Sequence, residues 1–358
     1  MHVTSYLLDN INRYYEIQLC YAELVSMGAT EVKFDLVKGL FEFDCTDEVF
    51  KKILRRTSWL KNLNEAETSI SRIINACSKV IWKYPDEWFS HLAYPFKARM
   101  RPQVARSLIN ICCPRDNGIV LDPFCGSGTT NVEAYLLGLN SVGIDIVPFY
   151  TFMSEAKIRF FSEDIDPFDQ SHPIFRVIHT TTTMFKGRVD YGRRVKEIIE
   201  LQEIFKKHFK KDMEQSMHEF HVGTATEIPY PDDYFDGIVT SPPYGTAIDY
   251  ISENPGPKEL MEIPPNLKPY LVLTKDEGEW KRLMKIAIKE MYRVLKKGGR
   301  LGIIVGNQRK DGRTIDLVGW TKKELSEAGF QLLYEFTELI SSTGVRSILT
   351  DKILIAQK

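Results

Sequence analysis

The sequence predicts an α/β protein: a parallel, Rossmann-like sheet with helices between its strands, preceded by a small α+β unit. Three observations predict it. From residue 118 onward short β-branched runs alternate with helical patterns, GIVLDPF then TTNVEAYLLG then NSVGIDI, the strand, helix, strand rhythm of a parallel sheet. The rhythm resumes with YFDGIVTSPPY, a strand ending in a loop, the glycine-stopped helix EWKRLMKIAIKEMYRVLKKGG and the strand RLGIIVGNQ. Residues 1–90 lack that rhythm and mix helix, strand and helix instead.

Within residues 1–90 the expected order is a helix containing IQLCYAELVSMGA, a strand-like EVKFDLVKGLFEFDC and a helix DEVFKKILRRTSWL. The sheet domain is expected over 93–358, with an insertion at about 151–220 that carries the basic helical segment GRRVKEIIELQEIFKKHFKKDMEQ. TIDLVGWTKKELSEAGF reads as a helix ending near Gly329, and QLLYEFTELI and KILIAQK as a closing strand pair.

Length and composition agree with two packed units. The chain has 358 residues, more than the ~250–300 at which single cores stop growing. Hydrophobic residues at 43% against 27% charged exclude a disordered chain. No apolar run is long enough to span a bilayer and the start lacks a signal-peptide pattern, so a cytoplasmic protein without membrane contact is expected. Six cysteines without a C-x-x-C pair suggest neither a disulfide framework nor a zinc site, and no metal is expected. The formal net charge of −1 leaves any polyanionic partner to local basic patches.

Three short segments carry chemistry. Asp122-Pro-Phe-Cys-Gly-Ser-Gly-Thr-Thr130 lies between a strand and a helix, where Gly126 and Gly128 permit a tight turn beside free helix N–H groups, a cradle for a nucleoside-like cofactor. Asp145 ends the next strand at the carboxyl edge of the sheet, where a carboxylate can accept both ribose hydroxyl protons. Ser241-Pro242-Pro243-Tyr244 follows the strand FDGIVT; its prolines cannot donate backbone hydrogen bonds and hold the chain extended. Such a loop offers the Ser241 hydroxyl and the Pro242 carbonyl as acceptors for an amino group, and Tyr244 as a stacking surface for a base taken out of its helix.

These motifs resemble those of S-adenosylmethionine-dependent amino-methyltransferases of DNA, which form N4-methylcytosine or N6-methyladenine; the serine form of the catalytic loop is similar to the cytosine-N4 type. The resemblance covers residues 93 to the end and implies a seven-stranded methyltransferase sheet. By it Asp122, Phe124, Gly126, Gly128 and Asp145 bind S-adenosylmethionine, while Ser241, Pro242, Pro243 and Tyr244 hold the target amino group. Lys97 and Arg99 of PFKARMRPQVARSLI would approach the methionine carboxylate. In this family an acid usually contacts adenine where this chain has Thr224, with Glu227 nearby.

The order of the motifs, with the cofactor loop first, also resembles tRNA guanosine-N2 methyltransferases, as do AELVSMGA at 22–29 and Lys52-Ile-Leu-Arg-Arg-Thr57. Because both diagnostic loops are spelled in the DNA manner, the favoured function is DNA cytosine-N4 methylation. The alternatives are tRNA guanosine-N2 methylation and a non-catalytic cofactor-binding module, which the intact Ser241–Tyr244 loop disfavours. A nucleic-acid partner is expected in either catalytic case. For the basic segment, Arg188, Arg193, Arg194, Lys206, Lys207, Lys210 and Lys211 either neutralise phosphates or, given the interleaved Glu197, Glu200 and Glu203, form a solvated helix face.

Overall fold

The structure, a computed structural model, describes residues 1–11, 13–81, 87–185, 189–212, 216–243, 249–271, 276–310, 313–338 and 348–358. The amino-terminal unit contains β1 (His2–Tyr6), α1 (Tyr14–Met27), β2 (Thr30–Asp35), β3 (Leu40–Asp44) and α2 (Asp47–Arg56). It continues with the short pair β4 (Asn62–Leu63) and β5 (Ala66–Glu67) and with α3 (Ser69–Ile81). Its antiparallel sheet has the order β1-β3-β2. The stretch EVKFDLVKGLFEFDC is thus two strands rather than one. Asp35 accepts hydrogen bonds from the Val37 and Lys38 amides and Gly39 takes φ +63°, so the chain reverses between them and leaves Leu36 and Val37 in solvent.

The main sheet is built from β6 (Ile119–Asp122), β7 (Asn140–Asp145), β8 (His218–Val222), β9 (Phe235–Thr240), β10 (Leu295–Lys310), β12 (Gln331–Glu338) and β13 (Ile348–Gln357). Their spatial order is β12-β13-β10-β9-β6-β7-β8, and β11 (Arg313–Ile315) pairs with β10 off that path. Along that path β13 runs antiparallel to both neighbours and the other pairs are parallel, while β11 pairs antiparallel with β10. This is a Rossmann-like seven-stranded sheet, the architecture that the sequence resemblance implies. The helices are α4 (Pro102–Cys112), α5 (Thr129–Leu136), α6 (Pro148–Ser162), α7 (Pro173–Met184), α8 (Tyr191–His208), the short α9 (Tyr250–Glu253) and α10 (Lys258–Met261), α11 (Glu277–Val294) and α12 (Leu317–Ala328). In the segment 151–220, α6 fills the usual crossover between β7 and β8, and α7 and α8 are what is added.

Strand order reverses direction at β6, flanked by β7 on one side and β9 on the other. In open α/β sheets ligands bind outside the carboxyl ends of the strands at such a switch point. Asp122, Asp145 and Ser241, at or just past the ends of β6, β7 and β9, are therefore brought to one place.

The amino-terminal unit packs on α4 through one continuous core: Leu19, Phe41, Phe43 and Trp59 share it with Val104, Leu108, Val239 and Ile355. Polar groups are sealed into the same junction. Arg56 is fully buried and donates to Asn110 Oδ1 and to the Cys113 and Arg115 carbonyls. Arg106 donates to Glu133 Oε2 at 3.2 Å and to the Arg55 and Arg56 carbonyls, while His91 Nε2 and Trp88 Nε1 each lie 2.9 Å from Glu133 Oε1. The Lys52–Thr57 motif and Glu23 of AELVSMGA, which accepts from the Ser58 amide, belong to this junction.

Candidate functional site

The glycine loop joins β6 to α5 and is gripped from behind by α6. Gly126 and Gly128 take φ of +48° and +72°, conformations that favour glycine. Ser154 Oγ donates to the Gly126 carbonyl at 3.1 Å, and Lys157 Nζ donates to the Ser127 carbonyl at 2.9 Å. Lys157 is fully buried, and that burial, with Arg99 adding to it, pulls its ammonium down to about 7. The two glycines have different tasks. A Cβ on Gly126 would meet only Phe96, at 3.4 Å, beside the cleft, whereas one on Gly128 would sit 2.6 Å from Ser154 Oγ and 3.0 Å from its Cα. Gly128 is therefore needed for loop-to-helix packing, and it is not among the residues that line the cleft.

Asp122 is a fastener. Its Oδ1 accepts from Thr240 Oγ1 at 2.7 Å and from the Phe124 amide at 3.1 Å, and its Oδ2 accepts from Thr130 Oγ1 at 2.7 Å. Burial pushes its carboxyl up to about 6. One carboxylate thus ties the glycine loop, the first turn of α5 and the residue before Ser241. Asp145 is more open: Oδ2 accepts from the Gly126 amide and Oδ1 from the Val147 amide, both at 3.0 Å. Each of its oxygens retains capacity for another donor. Its carboxyl is also pushed up to about 6, chiefly by burial.

Ser241 and Pro243 emerge from the end of β9 into the same cleft as Phe124, Gly126, Asp145 and Thr224. Among the described residues the Ser241 hydroxyl makes no hydrogen bond, and Trp280 Nε1 of α11 fixes the Pro243 carbonyl at 2.8 Å. Pro242 is buried and does not line the cleft; Tyr244 lies outside the described residues. The cleft holds about 970 Å³ with its open mouth included. Phe96, Met100 and Tyr150 contribute apolar lining, and Ile251, Tyr270 and Leu271 come from the segment that follows the Ser241–Pro243 turn.

Thr224 lines the cleft, its hydroxyl 2.9 Å from that of Thr226, while exposed Glu227 does not. Arg99 lines it too, but its guanidinium is bonded to Glu87 and the His91 carbonyl. Lys97 stands outside, paired with Glu253 at 2.6 Å. Thr130 and Thr240 lie in the motif segments without a role assigned to them there, and Ser154, Lys157 and Trp280 lie outside those segments. Lys157 alone left a signal, a lysine between Met153 and Phe160 on an otherwise apolar helix face.

The basic segment is largely committed elsewhere. Arg194 is buried and donates to the Leu92 carbonyl, Arg193 pairs with Glu197, and Lys206 pairs with Asp164 and Glu203. Lys207, Lys210 and Lys211 are exposed, where α8 leads back toward the start of β8 at the sheet edge opposite the cleft; Lys186 and Arg188 lie outside the described residues. No helix among the described residues is long and apolar enough to cross a membrane.

A family model described as "DNA methylase" matches residues 47–155, from α2 through the glycine loop into α6. The type II methyltransferase M.MjaII of Methanocaldococcus jannaschii is 37% identical over 73 residues, 19% of this chain and 13% of its own. The tRNA (guanine(10)-N2)-dimethyltransferase of the same organism is 45% identical over 47 residues, 13% of each chain. The chain thus spans about one-seventh of the length of the curated relatives it matches. A solved SAM-dependent methyltransferase from Methanosarcina mazei overlays 68% of this chain and 93% of its own with 16% identity and a TM-score of 0.37. The cleft fits a nucleoside cofactor such as S-adenosylmethionine: a half-open carboxylate at the end of β7 for a ribose diol, a glycine loop without side chains, and apolar walls.

Proposed function

We propose that this chain transfers a methyl group from S-adenosylmethionine to the exocyclic amino group of a nucleic-acid base, with N4 of cytosine in DNA as the favoured target. The observation that carries this reading is the convergence of Ser241 and Pro243 with Gly126 and Asp145 in one cleft at the switch point of the sheet. When bound, S-adenosylmethionine supplies an electrophilic methyl group on a sulfonium. Asp145 would hold the ribose hydroxyls, the Gly126 loop would lie against the nucleoside, and Thr224 would face the adenine. The unpaired Ser241 hydroxyl accepts a hydrogen bond from the target amino group and so helps localise a lone pair that the ring would otherwise delocalise. The Trp280 bond and the tie from Thr240 to Asp122 keep that acceptor in place.

Guanosine-N2 in tRNA is the second reading, favoured by the 45% identical segment. The amino-terminal motifs add little to it, because Glu23 and Arg56 are spent on the internal junction. Incubation with labelled S-adenosylmethionine and separate DNA and tRNA pools, followed by nucleoside analysis, decides: labelled N4-methylcytosine is the expected product, and labelled N2-methylguanosine would move the assignment to tRNA. Ser241→Ala should lower turnover roughly tenfold or more with cofactor affinity unchanged, since it removes an acceptor used in the transition state. Full turnover in Ser241→Ala would end the role given to the loop.

The raised carboxyl of Asp145 makes a further prediction. Ribose hydroxyls donate to the ionised form, so the protein must release a proton to bind below about pH 6. Cofactor affinity measured by calorimetry from pH 5 to 8 is expected to be level above neutrality and to fall by up to about tenfold per unit below the carboxyl's value. Asp145→Asn should bind more weakly and flatten the profile, which separates it from Asp122, unchanged in that variant. A level wild-type profile down to pH 5 would take Asp145 out of the ribose site.

A further inference from the structure

β10 does not stop where its catalytic neighbour stops. Thr240, the last residue of β9, is in register with Ile303, yet β10 runs on to Lys310 and turns back as β11. At Gln308 the strand is paired on both sides, with Ile348 of β13 and Ile315 of β11. Since β13 occupies one edge throughout, β11 lies on the edge that β9 occupies lower down. The β10–β11 ribbon therefore stands in line with β9, beyond the turn that carries Ser241. Arg309 is six residues past the Thr240 level, which at about 3.3 Å per residue is about 20 Å above it.

The ribbon carries two unusual arginines. Arg309 and Arg313 are exposed and are the arginines whose side chains, among the described residues, have no hydrogen bond or ion pair. The other described arginines are engaged, including those of the basic segment on α8. Of the described acids the nearest in sequence, Asp316, is used to cap α12 through the Gly319 amide; Asp311, between the two arginines, lies outside the described residues. Arg309 pairs in register with Thr314, and Arg313 with Lys310, so the two arginines lie on opposite faces of the ribbon. A guanidinium left without a partner beside a catalytic opening is suited to a phosphate, which it binds by paired N–H donors.

We propose that the β10–β11 ribbon is a phosphate-binding arm, in which Arg309 and Arg313 engage the phosphodiester backbone flanking the target base. The proposal rests on the nucleic-acid reading above and adds to it where the substrate strand runs. A two-stranded ribbon is slim enough to enter a major groove, and with arginines on both faces it can reach phosphates on either side. The cationic end of α8, at the opposite edge of the sheet, has no part in this contact.

The test compares the full chain with the double variant Arg309→Ala/Arg313→Ala, and with Lys207→Ala/Lys210→Ala/Lys211→Ala as a control at the other edge. Binding to a duplex DNA and to a tRNA pool, each measured across a salt series, distinguishes the two sources of phosphate. In the arm variant, affinity for the methylated polymer is expected to fall on the order of tenfold or more at 0.1 M salt. The slope of log affinity against log salt should flatten by about 1.8 for two phosphates on a duplex, or about 1.4 on a single strand. Cofactor affinity and melting temperature should not move, because both side chains are exposed and unpaired. The control variant should match wild type. An arm variant with wild-type slope and affinity, in a protein that still methylates its polymer, overturns the arm and leaves the methyltransferase reading standing. A wild-type protein that binds neither polymer overturns both.

Discussion

Asp122→Ala is expected to lower stability by on the order of 3–5 kcal/mol and to disable both cofactor binding and methyl transfer. The carboxylate accepts three bonds from buried or half-buried donors, Thr130, Thr240 and the Phe124 amide. Removing it leaves those donors without acceptors, at about 1–3 kcal/mol for each group that stays buried. Two loops from different strands then lose a common anchor. Asp122→Asn keeps a carbonyl oxygen in the same place and should lose less, about 1–2 kcal/mol. Denaturant unfolding of both variants, with cofactor titration at a denaturant-free reference, measures these quantities. A stable Asp122→Ala protein that had lost only cofactor affinity would return Asp122 to the role of direct ligand.

Gly128→Ala is expected to be nearly as damaging, for a reason that can be tested by a second substitution. The new methyl carbon would lie 2.6 Å from Ser154 Oγ and 2.7 Å from its Cβ, on a residue already at φ +72°. Overpacking of this kind costs typically about 1–3 kcal/mol, and the left-handed backbone adds to it. Ser154→Gly removes both side-chain atoms of the clash. The double variant Gly128→Ala/Ser154→Gly should therefore recover part of the stability lost in Gly128→Ala, leaving the backbone strain. No recovery in thermal melts would mean that the loop meets its obstacle elsewhere. Gly126→Ala, which faces only the edge of Phe96, should disturb cofactor affinity more than stability.

The parallel sheet was legible because its strands are short apolar runs bounded by glycine and proline, and because each helix between them has a clear period. The site was legible as far as it is local. Asp145 and Ser241 stand at strand ends in the text of the sequence as they do in the fold. What could not be read were the groups that act across distance. Thr240 looks like any strand threonine until β6 is laid beside β9, and Lys157 bonds a carbonyl thirty residues away. The glycine pattern marks Gly128 as a place that needs room, and the structure puts Ser154 of α6 in that room, since glycine reports that room is needed and not for what. The hairpin Thr30–Asp44 was read as one strand because Leu36 and Val37 continue the apolar run through the turn, although both point to solvent.

The sealed junction between α2, α4 and α5 has a consequence for how the chain can change. Arg56 and Arg106 draw their acceptors from both sides of the boundary, and Glu133 sits on the catalytic side with Trp88 and His91 around it. Detaching the first eighty residues would take the Arg55 and Arg56 carbonyls from Arg106 and the Arg56 donor from Asn110 and the Cys113 and Arg115 carbonyls, beside an uncovered apolar flank of α4, and polar groups left without their hydrogen bonds are costly. The amino-terminal unit is therefore not a module that can be exchanged for another to alter substrate choice. Substitutions at Arg56, Arg106 and Glu133 are constrained together, and under the proposed function variation in target choice is left to exposed side chains at the rim of the cleft.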